Sequence, residues 1–268
     1  MYNLENMEVL DMPLKEFDPN PTAVINPSDL TDYDSNFPKT LVSCFSSATF
    51  ERMVNNYNGE QIYKDNDASR EYWFYKINYQ GTELALVKAP VGAPSCVSVM
   101  ETAIAKGVQR IIIFGTCGVL DKSIEDCSII IPNEALRDEG TSYHYAPASR
   151  TITVNKDTIN TFTTLLDDLN VNYTVGKVWT TDGVYRETRD KVTKRQQEGC
   201  ICVDMECSAM AALTQFRNVE LLHFFYAADN LDNETWDKRS LSNDAKLDEK
   251  DIISDIAIKV AYQLSEKY

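Results

Sequence analysis

Short apolar runs alternate with amphipathic stretches from about residue 40 to the end of the chain. Apolar runs predict strands, and apolar residues at three- and four-residue spacing predict helices. The predicted strands are Thr40–Phe45, Tyr72–Tyr79, Glu83–Ala89, Arg110–Phe114, Cys127–Ile131, Tyr173–Trp179, a run that ends at Asp204, and Glu220–Tyr226. The predicted helices are Phe50–Tyr57, Cys96–Lys106, Asp157–Leu169, one that begins at Glu187, one that follows Glu206, and Glu249–Glu266. This alternation predicts a single α/β domain with a mixed, largely parallel sheet flanked by helices.

The first 37 residues follow a different pattern and are rich in Pro, Asp and Asn. Pro13, Pro19, Pro21, Pro27 and Pro38 are spaced too closely for a helix. We expect residues 1–37 to form an extended N-terminal arm on the surface of the domain, residues 38–268, or of a neighbouring subunit. The N-terminus lacks the pattern of a signal peptide, and no apolar run reaches the roughly 18 residues of a membrane span. A cytoplasmic location is therefore expected, with no membrane as a partner.

Composition narrows the class of partner. A net charge of −15 argues against nucleic acid, because a phosphate backbone requires a basic protein face. The seven cysteines are an odd number, and Cys200 and Cys202 lie two residues apart on a predicted strand, without the spacing of a zinc site. We expect reduced, buried cysteines and no metal.

Two apolar runs end in carboxylates. Asp204 and Glu206 lie where a predicted strand meets a helix rich in small residues, and Asp229 ends the run Leu221–Asn230. An unpaired buried carboxylate costs several kcal/mol, so such residues need a partner or a ligand. The carboxyl ends of strands in an open α/β sheet are the usual position of a ligand site. These acids therefore predict a small-molecule site.

Four motifs, in one order, resemble those of the nucleoside phosphorylase and nucleosidase superfamily. Val203-Asp-Met-Glu206 is similar to the family's Val-Glu-Met-Glu motif. The other three segments are Val91-Gly-Ala-Pro-Ser95, similar to a Gly-x-Gly-x-Pro-Ser turn, Phe114-Gly-Thr-Cys-Gly118, similar to a Gly-Thr/Ser-x-Gly loop, and Asp138–Pro147, similar to the loop after the central strands. The resemblance spans residues 38–265. Trp179–Thr188, Ala228–Leu231 and Trp236–Arg239 resemble most a bacterial branch that is described as nucleoside phosphorylase-like.

The resemblance implies phosphorolysis of a nucleoside to a free base and ribose 1-phosphate. Inorganic phosphate would be the co-substrate, and no other cofactor would be needed. The chain would form a homo-oligomer built from dimers, of which a hexamer is one form. Glu206 would accept hydrogen bonds from the ribose hydroxyls, and Met205 would pack on the sugar. Asp204 stands where the family more often has Glu. Asp229 would protonate the base at N7, which favours a purine.

The remaining substrate contacts implied by the resemblance lie in four segments. They are Gly92, Thr116, Cys117, Gly118, Tyr143, His144, Tyr185 and Arg186. Tyr143, His144 and Tyr185 would stack on the base or contact its edge, because aromatic faces recognise flat heterocycles. His223, inside an apolar run, is predicted to be a core histidine with its hydrogen bonds satisfied.

The phosphate site departs from the family pattern. Ile113 occupies a position where phosphorolysing relatives have an arginine, and the opening loop Phe45–Thr49 contains no arginine either. Hydrolytic relatives carry a glutamate in that loop, and this chain has none there. We expect phosphate to bind at Ser46, Ser47, Thr49 and Thr116, with Arg137 or Arg186 supplying charge. A phosphate-independent nucleosidase and a catalytically idle nucleoside-binding protein remain the alternatives.

Overall fold

The computed structural model describes residues 12–242 and 244–266. In this part of the chain ten strands form one sheet. They are β1 (Thr40–Cys44), β2 (Glu60–Asn66), β3 (Glu71–Tyr79), β4 (Thr82–Lys88), β5 (Arg110–Val119), β6 (Ile129–Asp138), β7 (Thr151–Thr153), β8 (Tyr173–Thr181), β9 (Cys200–Asp204) and β10 (Glu220–Asn230). The helices are α1 (Pro27–Leu30), α2 (Ser47–Asn56), α3 (Ala93–Lys106), α4 (Ile159–Asp168), α5 (Arg189–Gln197), α6 (Cys207–Arg217) and α7 (Leu247–Ser265).

The sheet combines an open half with a closed ring. The open half has the order β2-β3-β4-β1-β5, with an antiparallel β2-β3-β4 meander and parallel pairing from β4 through β1 to β5. From β5 the pairing continues through β9, β8, β6 and β10 and returns to β5, so these five strands form a ring. The long ladders β5–β10 and β6–β8 are parallel, as is β8–β9, whereas β5–β9 and β6–β10 are short antiparallel contacts.

Helices cover both faces of the sheet, because alternate residues of the central strands are apolar on both sides. In β1, Leu41 packs into the cluster that includes α3 and α6, and Val42 packs into the cluster that includes α2, α4 and α7. A smaller cluster around Trp179 buries Val192 of α5. The predicted mixed α/β fold with helices on both faces is confirmed.

Several elements differ from the sequence prediction. β2 was not predicted, because its sequence Glu-Gln-Ile-Tyr-Lys-Asp-Asn is polar and it lies at the sheet edge, where only β3 pairs with it. β7 was also missed, since it has three residues. β5 and β10 are longer than predicted. The motif Gly115–Gly118, predicted as a loop, lies within β5, because β9 and β10 pair with it.

The described part of the N-terminal arm lies against its own chain. The rings of Phe17 and Phe216 are 6.3 Å apart, and Arg217 of α6 donates to the Pro21 carbonyl oxygen at 3.1 Å. Phe37 is buried against Phe74. Residues 1–11 of the predicted arm lie outside the described residues. The arm's contact with a neighbouring subunit stays a prediction.

The residues at the amino ends of the strands differ in chemistry from those at the carboxyl ends. A broad groove of about 1070 Å³ lies at the amino ends of β1, β5 and β10, and none of the sequence motifs lines it. The motif residues lie at the carboxyl ends of the strands or directly after them.

Among the described residues, no helix is both long and apolar enough to cross a bilayer.

Candidate active site

Asp204, the last residue of β9, fixes the start of α6. Its carboxylate accepts hydrogen bonds from the N–H groups of Glu206 at 2.8 Å and Cys207 at 2.7 Å, and from the Thr180 hydroxyl at 2.7 Å. A carboxylate at a helix N-terminus satisfies N–H groups that have no partner within the helix. Burial raises the pKa of Asp204. Both carboxylate oxygens of Asp204 accept hydrogen bonds from the protein, and one of them holds the Glu206 N–H. Asp204 therefore orients Glu206, whereas the sequence predicted that Asp204 contacts the substrate.

Glu206 presents a buried acceptor beside Gly92. Its side chain accepts a hydrogen bond from the Gly92 N–H at 2.5 Å, and the residue is 5 % exposed. Gly92 has φ of +98°, which is the backbone region that favours glycine. In the described residues no lysine, arginine or histidine forms an ion pair with Glu206. Burial, and next the charge of Asp204, raise the pKa of Glu206. Met205, half-buried, lies between the two acids in sequence.

A second polar network joins the loop after β6 to α6. Glu139 accepts hydrogen bonds from the Ser208 hydroxyl at 2.9 Å and from the Ser142 N–H at 2.9 Å. Ser142 belongs to the short helical turn Thr141–His144. The network therefore fixes this loop beside the helix start that carries Glu206.

Asp229 lies on β10, next to β5 in the ring. It pairs in register with Gly118, and a Cβ added to Gly118 would lie 3.3 Å from Asp229 Oδ1 and 2.5 Å from Leu231. A larger residue at this position would require the Leu231 side chain to move. The Trp236 indole N–H donates to Asp229 Oδ2 at 2.7 Å. Burial raises the pKa of Asp229, and the Trp236 hydrogen bond opposes that shift.

Glu187 is a further acid at this site that the sequence analysis did not select. Burial, and next the charge of Asp229, raise the pKa of Glu187 to about 7. Arg189, two residues later, donates to the carbonyl oxygens of Leu231 at 2.6 Å and Asn233 at 2.8 Å. These bonds hold the start of α5 against the segment that follows Asp229.

A pocket of about 280 Å³, which we call the α2 pocket, opens at the N-terminus of α2. Its lining residues come from six separate segments. They are Cys44, Phe45, Ser46, Thr49, Val91, Phe114, Gly115, Thr116, Tyr226, Leu241, Ser242 and Lys250. Ser46 caps α2 by accepting the Thr49 N–H at 3.3 Å. The structure thus brings together three of the predicted phosphate ligands, Ser46, Thr49 and Thr116.

Residues close in sequence to the lining of the α2 pocket contact the acids. Val91 lines the pocket, and the next residue, Gly92, binds Glu206. Thr116 lines it as well, and Gly118, two residues along β5, contacts the Asp229 region. Cys117, buried between them, has its thiol 3.9 Å from the Tyr226 carbonyl oxygen. Ser47, also predicted to bind phosphate, accepts a hydrogen bond from Lys88 Nζ at 2.9 Å.

The hydrogen bonds of the Arg137 side chain are all formed with the loop that follows β6. Its guanidinium donates to the Ser142 hydroxyl at 2.8 Å, to the Ser149 hydroxyl at 2.8 Å and to the Pro147 and Ala146 carbonyl oxygens. Tyr143 belongs to the same unit, because its ring lies 4.1 Å from the guanidinium and its hydroxyl donates to the Arg137 carbonyl oxygen. The structure does not place Arg137 in the α2 pocket, so we remove it from the phosphate ligands.

Three predicted substrate contacts are solvent-exposed. His144 ends the turn after β6, and Tyr185 and Arg186 lie in the turn Val184–Arg186 after β8. The Tyr185 side chain is 96 % exposed. In this chain alone, these side chains do not enclose a ligand.

The structure changes the interpretation of two buried residues, Ile113 and His223. Ile113 is fully buried in the main apolar cluster. The side chain of an arginine at this position would therefore lie in the core and not in the α2 pocket. His223 is buried as predicted, but the prediction that its hydrogen bonds are satisfied is wrong. Both ring nitrogens are without a hydrogen-bond partner among the described residues, and burial lowers its pKa to about 3.

Acids at the carboxyl ends of β9 and β10, which both pair with β5, together with a hydroxyl-lined pocket, define a site for a small polar molecule. Residues 39–264 match the Phosphorylase superfamily, and the chain belongs to that family.

Two named relatives are phosphorylases. The chain is 25% identical over 147 residues to a guanosine phosphorylase of Halorubrum lacusprofundi, covering 55% of this chain and 61% of that protein. It is 28% identical over 160 residues to a DeoD-type purine nucleoside phosphorylase of Bacillus cereus, covering 57% of this chain and 66% of that protein. The matches therefore span less than two thirds of the length of these relatives.

Solved structures share the fold. A uridine phosphorylase of Vibrio fischeri superposes with a TM-score of 0.73 at 20% identity, over 86% of this chain and 95% of that one. An AMP nucleosidase of Bacteroides thetaiotaomicron superposes with a TM-score of 0.68 at 15% identity, over 87% of this chain and 90% of that one. The single-domain α/β architecture is common to all three proteins.

Proposed function

We propose that this protein is an enzyme that cleaves the N-glycosidic bond of a nucleoside by transferring the ribosyl group to inorganic phosphate. One observation carries the proposal. Glu206 is a buried carboxylate without an ion-pair partner in the described part of the chain, and it accepts a hydrogen bond from Gly92, whose neighbour Val91 lines the α2 pocket. The names of the phosphorylase relatives point to the same class of reaction.

Glu206 would bind the sugar. Cleavage of a glycosidic bond develops positive charge on the ribose, and a buried carboxylate that accepts hydrogen bonds from the hydroxyls stabilises that charge. The Gly92 N–H and the Asp204 bonds hold Glu206 in place before the substrate arrives. Pre-positioned acceptors of this kind act without reorganisation cost.

Asp229 would act on the leaving base. Because burial raises its pKa, Asp229 retains a proton more readily than an exposed aspartate does. A purine offers N7 as the acceptor of that proton. This favours purine over pyrimidine nucleosides, in keeping with the guanosine and purine nucleoside phosphorylases among the relatives.

The α2 pocket would hold phosphate. A phosphate oxygen forms a bond to C1′, the C1′–N bond breaks, and its electron pair stays with the base, which takes the proton of Asp229. The proton of hydrogen phosphate then returns to Asp229. The products are the free base and ribose 1-phosphate, and no other cofactor is required.

A panel of purine and pyrimidine nucleosides, with and without phosphate, tests the proposal. Free base and ribose 1-phosphate should both appear, with inosine, guanosine or adenosine cleaved faster than uridine. Base release with free ribose, at a rate independent of phosphate, would make the protein a nucleosidase. Nucleoside binding without any base release would make it an idle member of the family.

We further propose a cytoplasmic homo-oligomer. The seven cysteines are free, and all but Cys127 are buried, which suits a reducing compartment. Tyr185, Val184 and Val91 are exposed around the candidate site. A second subunit placed there would cover these apolar side chains and complete the site.

A further inference from the structure

The α2 pocket contains a buried cation that the family motifs do not include. Lys250, in the first turn of α7, lines the pocket and is 3 % exposed. Its ammonium group donates to the carbonyl oxygens of Ser240 and Ser242. No carboxylate forms an ion pair with it within residues 12–242 and 244–266.

Lys250 occupies an unfavourable position unless an anion is near. Carbonyl oxygens accept hydrogen bonds but leave the positive charge uncompensated, and burying an ammonium group costs free energy. The N-terminus of a helix carries partial positive charge, which also disfavours a cation in its first turn. Burial lowers the pKa of Lys250, whereas Asp126 and Asp244 oppose that shift without forming an ion pair with it.

The groups that line the pocket with Lys250 are of the kinds that can bind an anion. The pocket contains the capped N-terminus of α2, where the first N–H groups have no carbonyl partner within the helix. Thr116 adds a hydroxyl group to the lining. Lys88, at the end of β4, lies behind Ser47 and adds a second positive charge near the start of α2.

We propose that Lys250 supplies the positive charge that binds phosphate in this chain, in place of the arginines on which its relatives depend. The proposal rests on the proposed function only for the identity of the anion. Lys250 comes from α7, whereas the family's arginines are expected near β1 and β5. A charge delivered from the C-terminal helix thus compensates for Ile113 and for the arginine-free loop Phe45–Thr49.

Binding of inorganic phosphate to the full chain, measured by calorimetry without nucleoside, tests the proposal independently of turnover. Lys250→Gln removes the charge but keeps a donor for the carbonyl oxygens, and Lys250→Arg keeps the charge. Lys259→Gln, on the same helix and outside the pocket, is the matched control. Circular dichroism and thermal unfolding report whether each variant is folded.

We expect Lys250→Gln to weaken phosphate binding at least about tenfold, because a charge-assisted hydrogen bond is lost. Lys250→Arg should retain most of the affinity, and the control should equal the wild type. Wild-type affinity in folded Lys250→Gln, equal losses in Lys259→Gln, or no phosphate binding by the wild type would each overturn the proposal.

Two further outcomes separate this inference from the proposed function. Phosphate binding that depends on Lys250, in a protein whose base release ignores phosphate, supports the anion site and rejects phosphorolysis. If Lys250→Gln weakens only the binding of a nucleoside 5′-monophosphate, the pocket serves a phosphate of the substrate. That result would overturn the assignment to free phosphate.

Discussion

The indole N–H of Trp236 donates a hydrogen bond to Oδ2 of Asp229 over 2.7 Å. Trp236 is 58 % exposed, so the bond lies at the rim of the candidate site. It stabilises the ionised carboxylate, whereas burial favours the protonated one, and burial has the larger effect. The readiness of Asp229 to donate a proton therefore depends on a residue seven positions further along the chain.

Trp236→Phe should move the alkaline limit of activity to higher pH. Loss of the indole donor raises the pKa of Asp229, and a general acid is active only while protonated, so activity persists to higher pH. The pH profile of kcat/KM for the best nucleoside measures this. Trp73→Phe on β3, away from the site, is the control and should leave the profile unchanged. A shift to lower pH in Trp236→Phe would contradict the role of the bond.

Asp229→Asn should slow the cleavage of purine nucleosides by about 10²–10⁴-fold, the usual contribution of a general acid. A riboside with a nitrophenolate leaving group needs no proton and should be affected far less. The ratio of the two kcat/KM values is the measurement, with Asp168→Asn at the exposed end of α4 as control. Equal slowing of both substrates would remove Asp229 from the acid role.

Glu206→Gln should lower kcat by about 10²–10³-fold, because the amide keeps the shape of the carboxylate but not its charge toward the ribose. Single-turnover kinetics at saturating nucleoside measure this loss. Glu51→Gln, exposed on α2, should behave as the wild type. Near wild-type turnover in Glu206→Gln would exclude Glu206 as the ribose ligand.

The same variant should change how stability depends on pH. Native Glu206 retains its proton to higher pH than an unfolded glutamate, whose pKa is about 4. Above that pH the native state binds more protons than the unfolded state, so the free energy of unfolding falls as pH rises toward the raised pKa. Glu206→Gln has no such proton, and urea unfolding should show a smaller fall.

Ile113→Arg should destabilise the protein without improving phosphate binding. Ile113 is fully buried within the main apolar cluster, and a guanidinium there would be buried without a partner. We expect a loss of several kcal/mol or failure to fold, whereas Ile113→Val should cost about 0.5–1.5 kcal/mol. A folded Ile113→Arg variant that binds phosphate more tightly would show that β5 can redirect this side chain.

The protein should be a homo-oligomer in solution, because Tyr185 and Arg186 are exposed beside the candidate site. Light scattering at micromolar concentration should give a multiple of the chain mass. Tyr185→Ser should weaken assembly, and Tyr33→Ser, exposed in the arm, serves as a comparison. A monomeric mass for the wild type would refute this expectation.

The sequence predicted those site residues that belong to short local motifs. Asp204, Glu206 and Asp229 each follow an apolar run directly, so their position at strand ends could be inferred locally. The residues that were missed depend on distant pairing. Lys250 reaches the α2 pocket from α7, and Trp236 reaches Asp229 through a loop. Lys250 has no local pattern that distinguishes it from a surface residue, and the segment Trp236–Arg239 resembles a family motif without showing that Trp236 contacts Asp229.

The roles of polar side chains were harder to predict than their positions. Arg137 and Asp204 both lie at the carboxyl ends of strands, as functional residues often do, but they form hydrogen bonds within the protein. The sequence does not show whether a donor or acceptor is already paired, because the pairing partners Ser149 and Thr180 come from other segments. A side chain whose hydrogen bonds are formed within the protein positions other residues, whereas one with unused donors or acceptors can bind a ligand.

The closed ring of strands also sets the order in which the protein can fold. Arg110 at the start of β5 pairs with Glu220 at the start of β10, 110 positions away. Contacts between distant segments form late, because closing a long loop costs entropy before the contact contributes. During synthesis, the meander β2-β3-β4 can form early, whereas Gly118 and Asp229 become neighbours only after β10 is made. The candidate site should therefore be among the last parts of the molecule to become structured.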